Sequence, residues 1–309
     1  MTSREPRNVA ASVRQRLLNH ARTQGRSFDL VLTRYGLERL LYRLSQSAHK
    51  NEFVLKGAML FQAWTEVPNR PTRDLDLLGR GDESIEHLAS VFRELCAQVV
   101  DEEDGLDFDV ESVRGAEIRE NQEYGGVRIT FKAHLAGARI PFQIDIGFGD
   151  VVTAGPVEIE FPTLLDLPAP VLAAYSRESV VSEKYQALVD LGMANTRLKD
   201  FFDLYLLSDR FPFGGLALAE AIRATFERRG TALPDGIPSG LSDEFARDRA
   251  KQAQWSAFVR KGKLNGAPQI LGPVILRLRE FLAPPTEILR TGEAFTHVWA
   301  PGGPWSPYR

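Results

Sequence analysis

The apolar residues of this chain change their period once, and that change limits the fold more than any other feature. Between residues 107 and 148, "DFDVESV", "GVRITFKAHL" and "RIPFQIDIGF" alternate apolar and polar side chains. That is the pattern of half-buried strands. "AGA" joins the last two and reads as a hairpin turn. From residue 163 the pattern turns helical and largely stays so, through "ESVVSEKYQALVDLGM", "TRLKDFFDLYLLSDRF", "DRAKQAQWSAFVRK" and "QILGPVILRLREFLA". Proline and glycine in "GPVEIEFPTLLDLPAP" mark the seam. The expectation is an α/β piece over residues 1–155 and a mainly helical piece over 156–309.

Upstream of the strands, residues 8–47 read as two helices. Val13, Leu17 and Ala21 form one apolar stripe, and Leu37, Leu40, Leu41 and Leu44 another. Ser27 and Asp29 stand between them as candidate caps. "EFVLKGAMLFQAW" reads as a short strand, a glycine and a helix start, residues 73–78 as a strand, and "SIEHLASVFRELCAQVV" as a helix. The arginines of "VRQRLLNHAR" and "RYGLERLLYR" are expected on solvated faces, where they could also form a basic patch. A Gly/Pro-rich stretch near 230–240 loosens the chain, and the tail "WAPGGPWSPYR" is expected to pack poorly.

Composition excludes several classes. With 309 residues, 43% hydrophobic and 26% charged, the chain is globular and can bury a sizeable core. A net charge of −3 gives no global basic signature for nucleic acid, which leaves only a local patch for that role. The single cysteine, Cys96, rules out an intrachain disulfide and sits in an apolar helical run as core filler. The five histidines have no ligand spacing, so no zinc site is expected. No apolar run reaches the length of a membrane span. The first residues carry arginines without an apolar stretch, which speaks against a signal peptide and for a cytoplasmic protein.

The chemistry points to "RPTRDLDLLG", residues 70–79. Asp74 and Asp76 are two apart in a strand, so both carboxylates face one way. Two like charges at that range repel. A third acid, Asp145, lies between Ile144 and Ile146 in "FQIDIGF". Three carboxylates on neighbouring strands would make an oxygen-rich nest for a hard divalent cation, and magnesium suits one completed by water and substrate phosphates. An exposed strand face or a calcium site explains the pair equally well. Lys56 and Gly57 lie one strand-and-helix upstream, where backbone can approach a phosphate.

Taken together, "LKGAMLF", "RPTRDLDLL" and "FQIDIGF" resemble the nucleotidyltransferase superfamily. More narrowly, the chain looks like the AbiEii/AbiGii toxin family, which includes the MenT toxins. The lead-in "LLNHARTQGRSFDLVLTRYGLERLLYRLSQSAHKNEFVLKGAMLF" and the later "SEKYQALVDLGMANTRLKDFFDLYLL" extend the likeness over about residues 10–210. The fold it implies is α/β (α+β), a nucleotidyltransferase-like mixed sheet with flanking helices and a helical C-terminal region. By the same resemblance Asp74 and Asp76 would hold Mg2+ (or Mn2+) and a nucleoside triphosphate. Thr72 would contact phosphate, beside Arg73, and Lys184 would neutralise triphosphate charge. Asp200 would orient Lys184 or the acceptor, with Asp203 and Arg197 as second choices. Asp145 would be a metal ligand or the base. Ala58 departs from the superfamily, where glycine or serine is common. It cannot donate a hydroxyl to phosphate, so Thr72 or a backbone N–H must serve.

The implied activity is transfer of a nucleoside monophosphate to an acceptor hydroxyl, at the tRNA 3′ end, by a bacterial toxin with a cognate antitoxin protein. Two rivals stand beside it. A nucleotidyltransferase acting on a protein side chain or a small molecule shares every motif. A binding protein that keeps the fold without the chemistry would be free to lose one of the costly acids. On residues alone, Lys184 shares a face with Ala187, Leu188 and Leu191, as a lysine whose stem packs and whose head reaches out would. Lys199 and Asp203 are spaced for a helix-surface ion pair. Phe201, Phe202, Leu204 and Tyr205 read as core.

Overall fold

The alternating segments do form strands, and they join a seven-stranded sheet that begins much earlier in the chain. The computed structural model describes residues 8–65, 70–118, 125–264 and 266–308. In chain order the first elements are α1 (Val9–Thr23), α2 (Phe28–Gln46), β1 (Phe53–Lys56), α3 (Leu60–Trp64), β2 (Asp74–Gly79), α4 (Ile85–Ala97), β3 (Asp107–Ile118), β4 (Gly126–Leu135), β5 (Ala138–Phe148), β6 (Val157–Glu160) and β7 (Val171–Ala174). The sheet order is β3-β4-β5-β2-β1-β7-β6. β2 runs parallel to β5 and β1 parallel to β7, while the other neighbours are antiparallel. This is the mixed sheet with flanking helices that the resemblance implies.

The turn between β4 and β5 is two residues long. Ala136 and Gly137 both have positive φ, as a tight hairpin requires. It closes on the pair Leu135–Ala138 and sets the register of every pair behind it. One sheet face carries Phe108, Phe131 and Phe142, all buried, with ring centroids 5.2 to 6.1 Å apart. α2 closes on that face at Gly36, where a Cβ would stand 2.7 Å from Phe142 Cε1. The stripes of α1 and α2 are buried as expected. Ser27 does occupy the N-cap position of α2, though its side chain makes no cap hydrogen bond. Cys96 is buried.

Two readings need correction here. The chain turns helical later than residue 163, because β7 first returns to the sheet beside β1. Its four residues are too short to show a period. Nor do the α2 arginines all face solvent. Arg39 and Arg43 are buried; Arg43 reaches Asp104 at 2.6 Å, and Arg39 donates to the Pro168 carbonyl at 2.8 Å. Buried guanidinium groups persist only with such partners.

The chain divides into two units. One spans Met1–Gly149 with Pro156–Ala174, and the other Asp150–Gly155 with Tyr175–Arg309. The second is helical, with α5 (Arg177–Leu191), α6 (Leu198–Arg210), β8 (Phe213–Gly214), α7 (Gly215–Arg228), α8 (Asp243–Arg247), α9 (Arg249–Gly262), α10 (Leu271–Thr291), β9 (His297–Trp299) and β10 (Trp305–Pro307). Its tail corrects a third reading. Trp299 is fully buried and donates to the Ser208 carbonyl at 2.6 Å, and Trp305 stacks on Phe281. The large aromatic area buried there outweighs the local Gly/Pro looseness.

Candidate active site

β2 presents the paired acids as its period demands. Leu75 and Leu77 are buried on one side, while Asp74 is exposed and Asp76 half-buried on the other. Register then assembles a row across four strands. Lys56 on β1 is opposite Asp76, Asp76 is opposite Asp145 on β5, and Asp145 is opposite Arg128 on β4. The charges run plus, minus, minus, plus. Two cations therefore flank Asp76 and Asp145, two like charges side by side.

Gly57 explains why a glycine follows β1. Its φ is +74°, and a Cβ there would stand 2.6 Å from Asp76 Cγ. The Asp76 carboxylate lies directly against this backbone, in a conformation only glycine adopts without strain. Lys56 extends across β2 towards β5, its Nζ 3.3 Å from where a Cβ of Gly147 would be. The Thr72 hydroxyl donates to the Asp74 carbonyl at 3.2 Å, which ties the entry of β2 to its first acid. Arg73, between them, is exposed.

Asp145 has a partner that sequence reasoning missed. Arg128 donates from Nε to Oδ1 and from Nη2 to Oδ2, both at 2.8 Å, and Gln143 adds a bond at 3.2 Å. This is the bidentate fork that suits a carboxylate. The signal was in the hairpin: Arg128 and Asp145 lie equally far from the closing pair of the turn. A metal fits Asp74 and Asp76 better than all three acids. Magnesium takes one or two carboxylates and keeps the rest of its shell for water and phosphate. Both oxygens of Asp145 are engaged by Arg128, and among the described residues no three acid, histidine or cysteine side chains converge as a metal site.

In the second unit Lys184 and Asp200 do meet. Lys184 Nζ lies 2.6 Å from Asp200 Oδ1 and 2.9 Å from Asp203 Oδ2, and Arg197 Nε is 2.8 Å from Asp200 Oδ2. Both aspartates are buried. Burial pushes the Asp200 carboxyl up, but Lys184 and Arg197 together outweigh it and hold it below the usual carboxylate range. Asp203 is thus an internal partner of Lys184 rather than half of a surface pair on α6. Phe201, Phe202 and Leu204 are core, as expected.

Comparison with known proteins decides the family. A family model described as nucleotidyl transferase AbiEii toxin, of type IV toxin–antitoxin systems, matches residues 39–282. The chain belongs to the AbiEii toxin family. It is a nucleotidyltransferase, and membership implies a nucleoside triphosphate substrate and an antitoxin partner. The AbiEii fold is shared by MenT4, a nucleotidyltransferase toxin from Mycobacterium tuberculosis H37Rv, with 17% identity over 90% of this chain and 89% of that one, at a TM-score of 0.56. It is shared also by JHP933 from Helicobacter pylori, with 14% identity over 86% and 95% of the two chains and a TM-score of 0.51. No curated protein sequence matches the chain. Among the described residues, no helix is long and apolar enough to cross a membrane.

Proposed function

We propose that this AbiEii protein transfers a nucleoside monophosphate from a nucleoside triphosphate to the 3′ hydroxyl of tRNA, with Mg2+ or Mn2+ at Asp74 and Asp76, in the cytoplasm of a bacterium. The observation that carries the reading is the same-face pair on β2, with Asp76 seated on Gly57. When bound, the metal would supply positive charge to the phosphates and the departing pyrophosphate. The chain's own residues do the positioning. Gly57 leaves the room against its backbone that the Asp76 carboxylate occupies. Lys56, Thr72 and Arg73 offer cationic and hydroxyl donors to phosphate, the role Ala58 cannot take.

Asp145 acts as metal ligand or base only after Arg128 releases it; with the fork closed, it braces the row instead. Lys184 neutralises triphosphate charge and Asp200 orients Lys184, the roles family resemblance gives them. The tRNA acceptor rests on resemblance to the MenT toxins alone.

The test is purified protein with magnesium, total tRNA and each radiolabelled nucleoside triphosphate in turn, beside Asp74→Ala. Label in tRNA that the variant fails to add supports the reaction and the acceptor together. Label that appears only in protein or a small molecule overturns the acceptor. Equal labelling by Asp74→Ala overturns the assignment of the acids.

A further inference from the structure

A cavity of about 370 Å³ lies in the first unit, bounded by the C-terminal end of α1, by α2, by α3, by the entry to β2 and by the chain between β6 and β7. Three arginines line it, Arg26, Arg34 and Arg70, and none of its described lining residues is an acid. Like charges crowd there. Burial, then Arg26, hold Arg34 below the usual arginine value although Glu38 behind it pulls the other way. Two polar atoms at this cavity are buried without a hydrogen-bond partner, Arg34 Nε and Gln62 Oε1. Such atoms are costly unless a ligand or ordered water satisfies them. Leu30 and Pro162 supply apolar wall, as a base face needs. The volume is that of a small-molecule site.

We infer that this cavity seats one nucleotide of the RNA acceptor strand, its phosphodiester on Arg26 and Arg34 and its base or ribose donating to Gln62 Oε1. The inference rests on the proposed acceptor. The incoming triphosphate is the poorer guest, because it arrives with a divalent metal and the described lining residues offer that metal no carboxylate. A phosphodiester needs no metal, only cations and hydrogen-bond donors. Thr72 connects the two places: it lines the cavity and stands two residues before Asp74.

The experiment measures binding of a fluorescein-labelled short single-stranded RNA with a free 3′ hydroxyl, in EDTA, by anisotropy across a salt series. Full-length protein is compared with Arg34→Gln and Gln62→Leu, and Mg2+–nucleoside triphosphate binding is measured alongside. Arg34→Gln is expected to weaken RNA about tenfold and to lower the salt slope by about 0.7, with triphosphate affinity unchanged. Gln62→Leu removes an unsatisfied acceptor, so it keeps or raises the melting temperature while weakening RNA several-fold. It therefore separates lost binding from lost folding. Unchanged RNA affinity in both variants, with tRNA still labelled by wild type, overturns this inference and leaves the proposed function standing. A fall in triphosphate affinity instead assigns the cavity to the nucleotide and also overturns it. A wild type that neither binds RNA nor labels tRNA overturns the acceptor reading, and this inference with it.

Discussion

Gly57 and Asp76 are worth reading as one device. The carboxylate occupies the space a side chain at residue 57 would fill, at a φ that disfavours any other residue. Gly57→Ala is therefore expected to cost about 2 kcal/mol and to push Asp76 out of line. Nucleotidyl transfer should fall by more than stability does; a variant with a lower melting temperature but full activity would refute the coupling. Asp74→Ala should behave oppositely. Asp74 is exposed, so its loss leaves the melting temperature nearly unchanged while turnover drops about a thousandfold, the scale of losing a preorganised electrostatic group.

Between elements, α5 and α6 are joined by charge as well as by apolar contact. Lys184 bridges Asp200 and Asp203, both buried. Lys184→Met takes the shared cation from two buried carboxylates, Asp200 keeping Arg197, and is expected to destabilise the protein by roughly 3 kcal/mol, read by chemical denaturation. The Asp200 carboxyl sits below its usual range. The stability it contributes is thus complete at neutral pH and disappears as pH falls below the ordinary aspartate range. A Lys184→Met protein as stable as wild type at pH 7 would show that this brace contributes nothing.

At the scale of the first unit, Glu38 contributes a pH dependence of the opposite sign. Glu38 on α2 is fully buried and accepts from the Leu164 backbone N–H at 2.8 Å. Burial nevertheless pushes its carboxyl up to about 7 from 4.5. A raised carboxyl binds its proton in the folded state first, so stability is present below about pH 4.5 and is lost as pH rises towards 7. The full shift amounts to about 3 kcal/mol. Glu38→Gln keeps an acceptor for Leu164 and removes the charge. It is expected to raise the melting temperature at pH 8 and leave it nearly unchanged at pH 4.5. The same melting gain at both values would mean that Glu38 does not titrate there.

Much of this protein is legible without coordinates, where a signal is local and periodic. The stripe of α1, the alternation of β4 and β5, their turn and the shared face of Asp74 and Asp76 all follow from side-chain period, which depends on near neighbours alone. What local pattern lacks is long-range pairing. β7 is too short to declare itself, and Trp299 reads as tail until its indole finds Ser208. Arg39 and Arg43 look like solvated charges until Asp104 and the Pro168 carbonyl arrive from the far side of the unit. The row from Lys56 to Arg128 is the sharpest case: its four residues come from four strands, and only register places them side by side. Sequence determined which residues carry charge and, for Asp74 and Asp76, which way they face within their strand. Tertiary structure decided which charges meet, because a buried charge is tolerable only beside its partner, and those partners lie many residues apart.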